Sequence, residues 1–210
     1  MAVEINSISE AIARINYLVE VHKERFIVGI TGKPGAGKST FASELISQLP
    51  ELKPELVPMD GYHLSNSQLK RLNLEDKKGA YNTFDVFGFT NLLERINKDI
   101  HTNIYFPVFY REIEESFSAD AVVAAQTKVV ITEGNYLLHN EGGWEKVKNE
   151  LVETWYLQVD ENLRIERLIE RHKKFGKDQK SAEFWAKGSD ESNAKLVDST
   201  AALADVIVHL

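Results

Sequence analysis

The chain has 210 residues, 43% of them hydrophobic and 27% charged, with no cysteine and a formal net charge of −7. That length supports a single domain around one sizeable core, and the lack of cysteine excludes both a disulfide scaffold and a thiolate catalyst. The acidic balance argues against a protein built mainly to grip nucleic acid, and the lack of a long apolar run or secretory leader points to a cytoplasmic protein with no membrane partner.

Residues 1–22 read as an N-terminal packing helix. Ser7 and Glu10 have the spacing of a capping box, and Ile8, Ala11, Ile12, Ile15, Leu18 and Val19 mark one apolar face. The apolar run 26–31 reads as a buried strand, and the segment after it matches G-x-x-x-x-G-K-[ST] at Gly32, Gly37, Lys38 and Ser39. Glycines let the backbone N–H groups curl round an anion, and a helix starting near Gly37 adds its positive end. Phosphate is the expected guest, with Lys38 reaching the outer phosphates and the Ser39 hydroxyl holding a magnesium ion. An ordinary strand–turn–helix corner would use the same glycines only to relieve crowding, but strand, spacing, lysine, hydroxyl and helix coincide here. A dinucleotide fingerprint fails because no G-x-G-x-x-G follows the strand.

A helix carrying Phe41, Leu45, Ile46 and Leu49 ends near Pro50, and 56–60 supplies the next strand. Asp60, Tyr62 and His63 lie just beyond it, where the ends of parallel strands share a crevice with the phosphate loop. A carboxylate there can orient a substrate hydroxyl and receive its proton, while a turn or helix cap is the plainer role for Asp60. Tyr62 and His63 either shape an acceptor pocket or pack locally. A polar helix over 64–74 leads to a charged break at 75–79 and an aromatic stretch, 80–89, in which Phe84 either covers a small acceptor or packs the edge of a lid. Asp85 is the weaker carboxylate and serves equally as a cap.

Residues 102–109 and 121–125 suggest a small hairpin-like excursion that delivers Arg111 and Glu114. Arg111 can meet the acceptor or Asp60, and Glu114 can hold that arginine or bind the acceptor; surface ion pairing is the alternative for both. Residues 128–136 return to a central-strand pattern, with Glu133 at the end placed to orient water around magnesium or contact the acceptor, or else to cap the turn before Gly134. A helix begins at 144–147 and a strand follows over 152–159. In the next helix Ile165, Leu168 and Ile169 form an apolar side, while Arg164, Arg167, Arg171 and Lys174 gather opposite, a face for phosphates or for ion pairs with Glu166 and Glu170. His172 reads as a helix-side or core histidine, since no ligand array with zinc spacing surrounds it. A polar, lid-like connection follows, with Gly176 and Gly188 as hinges. Ser189 and Asn193 approach a nucleotide base or cap a final helix, and 205–209 forms a last strand.

Six segments in order, GKPGAGKST (32–40), MDGYHL (59–64), KGAYNTFD (78–85), ITEGNYLL (131–138), RLIERHKKFG (167–176) and NAKLV (193–197), resemble the phosphoribulokinase, uridine kinase and bacterial-type pantothenate kinase superfamily. Within it the chain looks most like small bacterial nucleoside/nucleotide kinase-like proteins. The resemblance implies an α/β P-loop NTPase fold with a doubly wound, mostly parallel five-stranded sheet and flanking helices. It implies one kinase domain over 1–210, an acceptor-region insertion at 61–125 and a lid-like region at 171–190. ATP and Mg2+ are the implied cofactors, and the γ-phosphoryl group passes to a hydroxyl of a small metabolite, with pantothenate, a nucleoside or a sugar as candidates. Asp60, Lys38, Arg167 and Arg171 are the implied catalytic residues. Gly32, Lys33, Pro34, Gly35, Ala36, Gly37, Lys38, Ser39 and Thr40 hold the nucleotide with Arg167, Arg171 and Asn193. Asp60, Tyr62, His63, Phe84, Arg111, Glu114, Glu133 and Tyr136 surround the acceptor, and Ser39 with Glu133 serves the metal. In the segment YFPVFYREIEES the chain has Tyr110 where the family commonly has an aspartate before the arginine. The rival readings are an NTP-hydrolysing switch and a non-catalytic nucleotide-binding regulatory module; a homodimer is left open as the assembly.

Overall fold

In the computed structural model, which describes residues 2–209, a three-residue strand (β1, Val3–Ile5) precedes the first helix (α1, Ile8–Val21). The Ser7 hydroxyl accepts the Glu10 N–H at 3.2 Å, while the Glu10 carboxylate reaches back to the N–H of Asn6 at 2.7 Å. The first contact satisfies a backbone donor that a helix start leaves open, and the second ties the residue before the cap to the first turn. Ala11, Ile15 and Leu18 are buried at i, i+4 and i+7, the stripe that lays α1 on the sheet.

The second strand (β2, Phe26–Thr31) is buried throughout. Its alternation divides the core: Phe26, Val28 and Ile30 join the apolar cluster with α1 and the next helix (α2, Lys38–Ser47), while Ile27 points into a second cluster on the other face. After β3 (Glu55–Pro58) the chain leaves the sheet through a 3-10 turn at Met59–Tyr62, a short helix (α3, Asn66–Leu72), a longer one (α4, Val86–Lys98) and an antiparallel hairpin (β4, Ile104–Tyr110; β5, Glu115–Val123). It returns as β6 (Val129–Glu133), β7 (Glu153–Gln158) and β8 (Val206–His209), with α5 (Glu161–Lys174), α6 (Gln179–Lys187) and α7 (Ser189–Asp198) between the last two strands.

The sheet order is β1–β8–β7–β2–β6–β3, with every neighbouring pair parallel. It has six strands where the sequence reading expects five. The added strand is β1, three residues long and too short to show a period of two; its pairing with β8 makes it a strand. Because β6 lies between β2 and β3, Glu133 stands in register with Ile30 on one side and Pro58 on the other. The strand ends that carry the phosphate loop, Glu133 and Asp60 therefore open at one edge of the sheet, where α/β folds bind ligands.

Two further differences concern the excursions. The connection after α5 contains α6, a nine-residue helix that buries Ala182 and Ala186 beneath a largely polar exterior, whereas its composition reads as a polar lid-like connection. The hairpin begins its second strand at Glu115 rather than Ala121, and its register shifts at Pro107, which has no N–H to give the ladder. Asp85 takes the capping role: its carboxylate accepts the Gly88 N–H at 2.9 Å at the start of α4. No described helix is long and apolar enough to cross a membrane.

Candidate active site

The loop between β2 and α2 bends through Gly35 and Gly37, both with φ in the left-handed region, at +83° and +88°. A Cβ on Gly35 would fall 2.7 Å from the Arg164 carbonyl, so a side chain there meets backbone as well as strain. Among the described residues, no acceptor takes the backbone N–H of Gly37, Lys38, Ser39 or Thr40. These are open donors at the positive end of α2, a cradle suited to phosphate oxygens. The Lys38 ammonium lies across the loop and donates to the carbonyls of Gly32 (3.0 Å) and Lys33 (3.2 Å). Burial is the main cause of its lowered pKa, about 8 against an ordinary 10.5, with Glu133 opposing the shift.

The Ser39 hydroxyl donates to Glu133 Oε1 at 2.9 Å. Burial, reinforced by Asp60, pushes the Glu133 pKa up, while Lys38 pulls it down. No group of three or more His, Cys, Asp or Glu with metal-holding geometry occurs among the described residues. One hydroxyl and one carboxylate nevertheless suit Mg2+, which keeps several waters and takes its remaining oxygens from a nucleotide's phosphates.

Opposite the loop, Asp60 belongs to the 3-10 turn and receives the Arg111 guanidinium at 2.7 Å. The approach depends on Gly61, where a Cβ would lie 2.2 Å from the carbonyl oxygen of Pro107 in β4. Without a side chain there, the hairpin can press against the turn and bring Arg111 to Asp60. Sequence reasoning missed Gly61, since nothing in a single chain shows which backbone comes close to it. His63 is packed between Phe84 and Phe109, at ring distances of 4.1 and 4.4 Å, and burial lowers its pKa.

A cleft of about 1010 Å³ joins these two sides and is closed by α5, α6 and α7. Its walls include most of the expected residues: the loop from Pro34 to Thr40 apart from Ala36, then Asp60, His63, Phe84, Arg111, Glu114 and Glu133, with Arg167, Arg171 and Asn193 from the helical side. Gly32, Lys33, Ala36, Tyr62 and Tyr136 are not part of the wall. Lys33 is turned to Glu161 at 2.8 Å, and Ala36 is buried in the core. Tyr62 packs on Phe89 with its pKa pushed by burial to about 12, and the buried Tyr136 donates to the Gly79 carbonyl at 2.7 Å.

The helix α5 separates its arginines. Arg167 and Arg171 line the cleft, and Arg171 lies 3.8 Å from Asp190. Arg164 does not join that basic face: it is fully buried and donates to the Pro34 carbonyl (3.2 Å), to Glu161 (2.9 Å) and to Glu191 (2.6 Å). The correction follows from helix geometry, since Arg164 stands one turn before the buried Leu168 and shares its face. Lys78, Phe109 and Trp185 also line the cleft; Lys78 and Phe109 lie in family-like segments that assign them no site role, and Trp185 stands in no recognised segment. His172, read as structural, lines the cleft as well, with Nε2 2.7 Å from the Asp190 carboxylate. Glu114 pairs with Lys78 at 3.5 Å instead of with Arg111.

The model of the Phosphoribulokinase / Uridine kinase family matches residues 27–210. A Schizosaccharomyces pombe protein named "Putative uridine kinase C227.14" is 31% identical over 179 residues, covering 81% of this chain and 76% of that one. A pantothenate kinase of Ligilactobacillus salivarius is 29% identical over 164 residues, covering 69% of this chain and 52% of its own length. Among solved structures, a "putative fructose transport system kinase" from Silicibacter sp. TM1040 superposes with a TM-score of 0.87 at 30% identity, over 96% of this chain and 98% of that one.

Proposed function

We propose, from the premise that this chain belongs to the phosphoribulokinase/uridine kinase family and is a small-metabolite kinase, that it transfers the γ-phosphoryl group of ATP to an acceptor hydroxyl with Asp60 as the base. The observation that carries this reading is the cleft itself, which holds the phosphate loop on one wall and the Asp60 carboxylate on the other. A loop alone would bind a nucleotide; a carboxylate facing it supplies what an alcohol acceptor needs.

In this reading the N–H groups of residues 37–40 and the Lys38 ammonium hold the nucleotide phosphates, and Ser39 with Glu133 holds Mg2+. The magnesium ion, when bound, offsets charge on the phosphate oxygens. Asp60 accepts the proton of the acceptor hydroxyl as its oxygen bonds to the γ-phosphorus and the bond to the ADP oxygen breaks. Arg167 and Arg171 supply donors to the charge that builds on the transferred group. Asn193 stands on the nucleotide side, and residues 171–190 close over it. The names of relatives bring a nucleoside, pantothenate or a sugar into consideration as acceptor.

The test is to incubate the purified chain with ATP, Mg2+ and a panel of pantothenate, nucleosides and sugars, and to detect phosphorylated products by mass spectrometry. The expected result is an acceptor-dependent product that disappears with EDTA. ATP turned over at the same rate with and without every acceptor would sink the proposal.

A further inference from the structure

At the acceptor end of the cleft the cations differ in how far their donors are used. Lys78 is matched: its ammonium donates to Asn66 Oδ1 at 2.7 Å and to the Glu114 carbonyl, with the Glu114 carboxylate 3.5 Å away. Arg111 is not. Its guanidinium has five N–H donors, and among the described residues its side chain donates only to Asp60 Oδ2. The other donors belong to a half-exposed group that lines the cleft. Arg171 stands near enough for Arg111 to help depress its pKa, second only to burial, so two guanidinium groups share this space.

The aromatic side chains of the same region are already engaged with one another. His63 is packed between Phe84 and Phe109, and Lys78 and Arg111 both lie over the Phe109 ring, at 5.4 and 5.9 Å. Tyr62 and Tyr136 are held in the core side of the region, as described above. The rings that the turn and the hairpin bring to the acceptor end are therefore taken up by one another and by two cations, while Phe175 and Trp185 line the cleft from the helical side.

We propose that the acceptor is a small, non-aromatic alcohol bearing its own carboxylate or phosphate a few bonds from the reacting hydroxyl, and that Arg111 leaves Asp60 to bind that anionic group. The proposal rests on the kinase reading above and names the substrate class of the same site. The exchange has two effects. A carboxylate or phosphate accepts the planar guanidinium fork in place of Asp60, and the released Asp60 oxygen becomes available to the hydroxyl proton. A neutral alcohol offers Arg111 nothing comparable and meets a base still held in its ion pair. Glu112 also lines this end, and Glu114 is matched by Lys78; with Arg167 and Arg171 assigned above to the transferred phosphoryl group, Arg111 is the cation left for the acceptor's own anion.

The experiment uses matched pairs with ATP and Mg2+: glycerol against D-glycerate for the carboxylate arm, glycerol against glycerol 3-phosphate and fructose against fructose 6-phosphate for the phosphate arm, and uridine as the neutral aromatic case. Product is measured as kcat/KM. A second readout, independent of turnover, is the thermal shift given by each compound in the presence of a non-hydrolysable ATP analogue. In at least one arm the anionic member should exceed its neutral partner on the order of 100-fold, and Arg111→Gln should remove most of that preference, chiefly through KM, with Arg111→Lys restoring part of it. Preference for uridine or for the neutral members overturns the proposal. So does an Arg111→Gln variant that slows anionic and neutral acceptors equally, which would assign Arg111 to the transferred phosphoryl group. If no compound yields product, the kinase reading fails and the thermal shift decides: an anion-dependent shift lost in Arg111→Gln supports the recognition, and its absence in the unmodified chain refutes it.

Discussion

The two walls of the cleft are built in different ways. The donor wall is one continuous stretch, from β2 through the loop into α2, held in the middle of a parallel sheet by a strand that is buried throughout. The acceptor wall is gathered from the turn after β3, the segment around residues 78–84, the tip of the β4–β5 hairpin and the end of β6. Local geometry fixes the first, and contacts between distant segments fix the second. One wall therefore tolerates little change within its motif, while the other depends on how closely separate pieces approach.

The sharpest way to separate the walls is Asp60→Asn. It should lower kcat by about 10²–10⁴-fold while ATP affinity, measured by calorimetry, stays near that of the unmodified chain. An equal loss of both would mean that the two walls are not functionally distinct. Lys38→Met is the converse change, with an expected loss of about 10²–10³-fold in kcat/KM accompanied by weakened ATP binding. Next in size is Arg164→Ala, which strips the buried ties to Pro34 and Glu191. Because Glu161 and Glu191 are partly exposed and regain water, the cost is about 2–4 kcal/mol, or roughly 5–12 °C in Tm. An unchanged melting curve would show that the donor wall does not lean on α5.

Gly61→Ala probes the acceptor wall alone. The new methyl would press on the Pro107 carbonyl and force the hairpin outward, at a cost of about 1–3 kcal/mol, raising acceptor KM with ATP affinity intact. The smallest effect is in pH. Lys38 has its pKa lowered to about 8 from 10.5. Below pH 8 it is charged whether the chain is folded or unfolded; between 8 and 10.5 the unfolded chain binds more protons, so this residue makes stability rise with pH. ATP affinity should move the opposite way, falling by at most about tenfold per unit above pH 8 as the free enzyme loses the ammonium charge. A Lys38→Arg variant, charged throughout, should flatten that profile.

The same contrast explains what could be read from the chain. The phosphate loop is legible because its chemistry and its spacing coincide in nine consecutive residues, 32–40. Asp60 and Glu133 are legible because one follows and the other ends a short apolar strand, and parallel pairing brings those strand ends to one side. Gly61 and Lys78 are not, because their importance comes from a carbonyl in β4 and a carboxylate at its tip. Arg164 shows a different limit. Its charge suggested the basic face, whereas its position one turn before Leu168 places it inside, and three acceptors make that burial tolerable. Tyr136, conspicuous beside Glu133 in sequence, points into the aromatic core around Phe84 and Trp144.

The tie between Arg164 and the Pro34 carbonyl also sets the mechanics of the helix above the cleft. It fastens α5 near its first turn to the loop proposed to cradle phosphate, so a tilt of the helix about that tie would move its far end most. Arg171 lies seven residues further along, about 10 Å at 1.5 Å per residue. A rotation of roughly 10° about that point would carry its guanidinium through about 2 Å, the difference between a hydrogen bond and none. A small angular change at the tie would thus be magnified at the far arm of the lever.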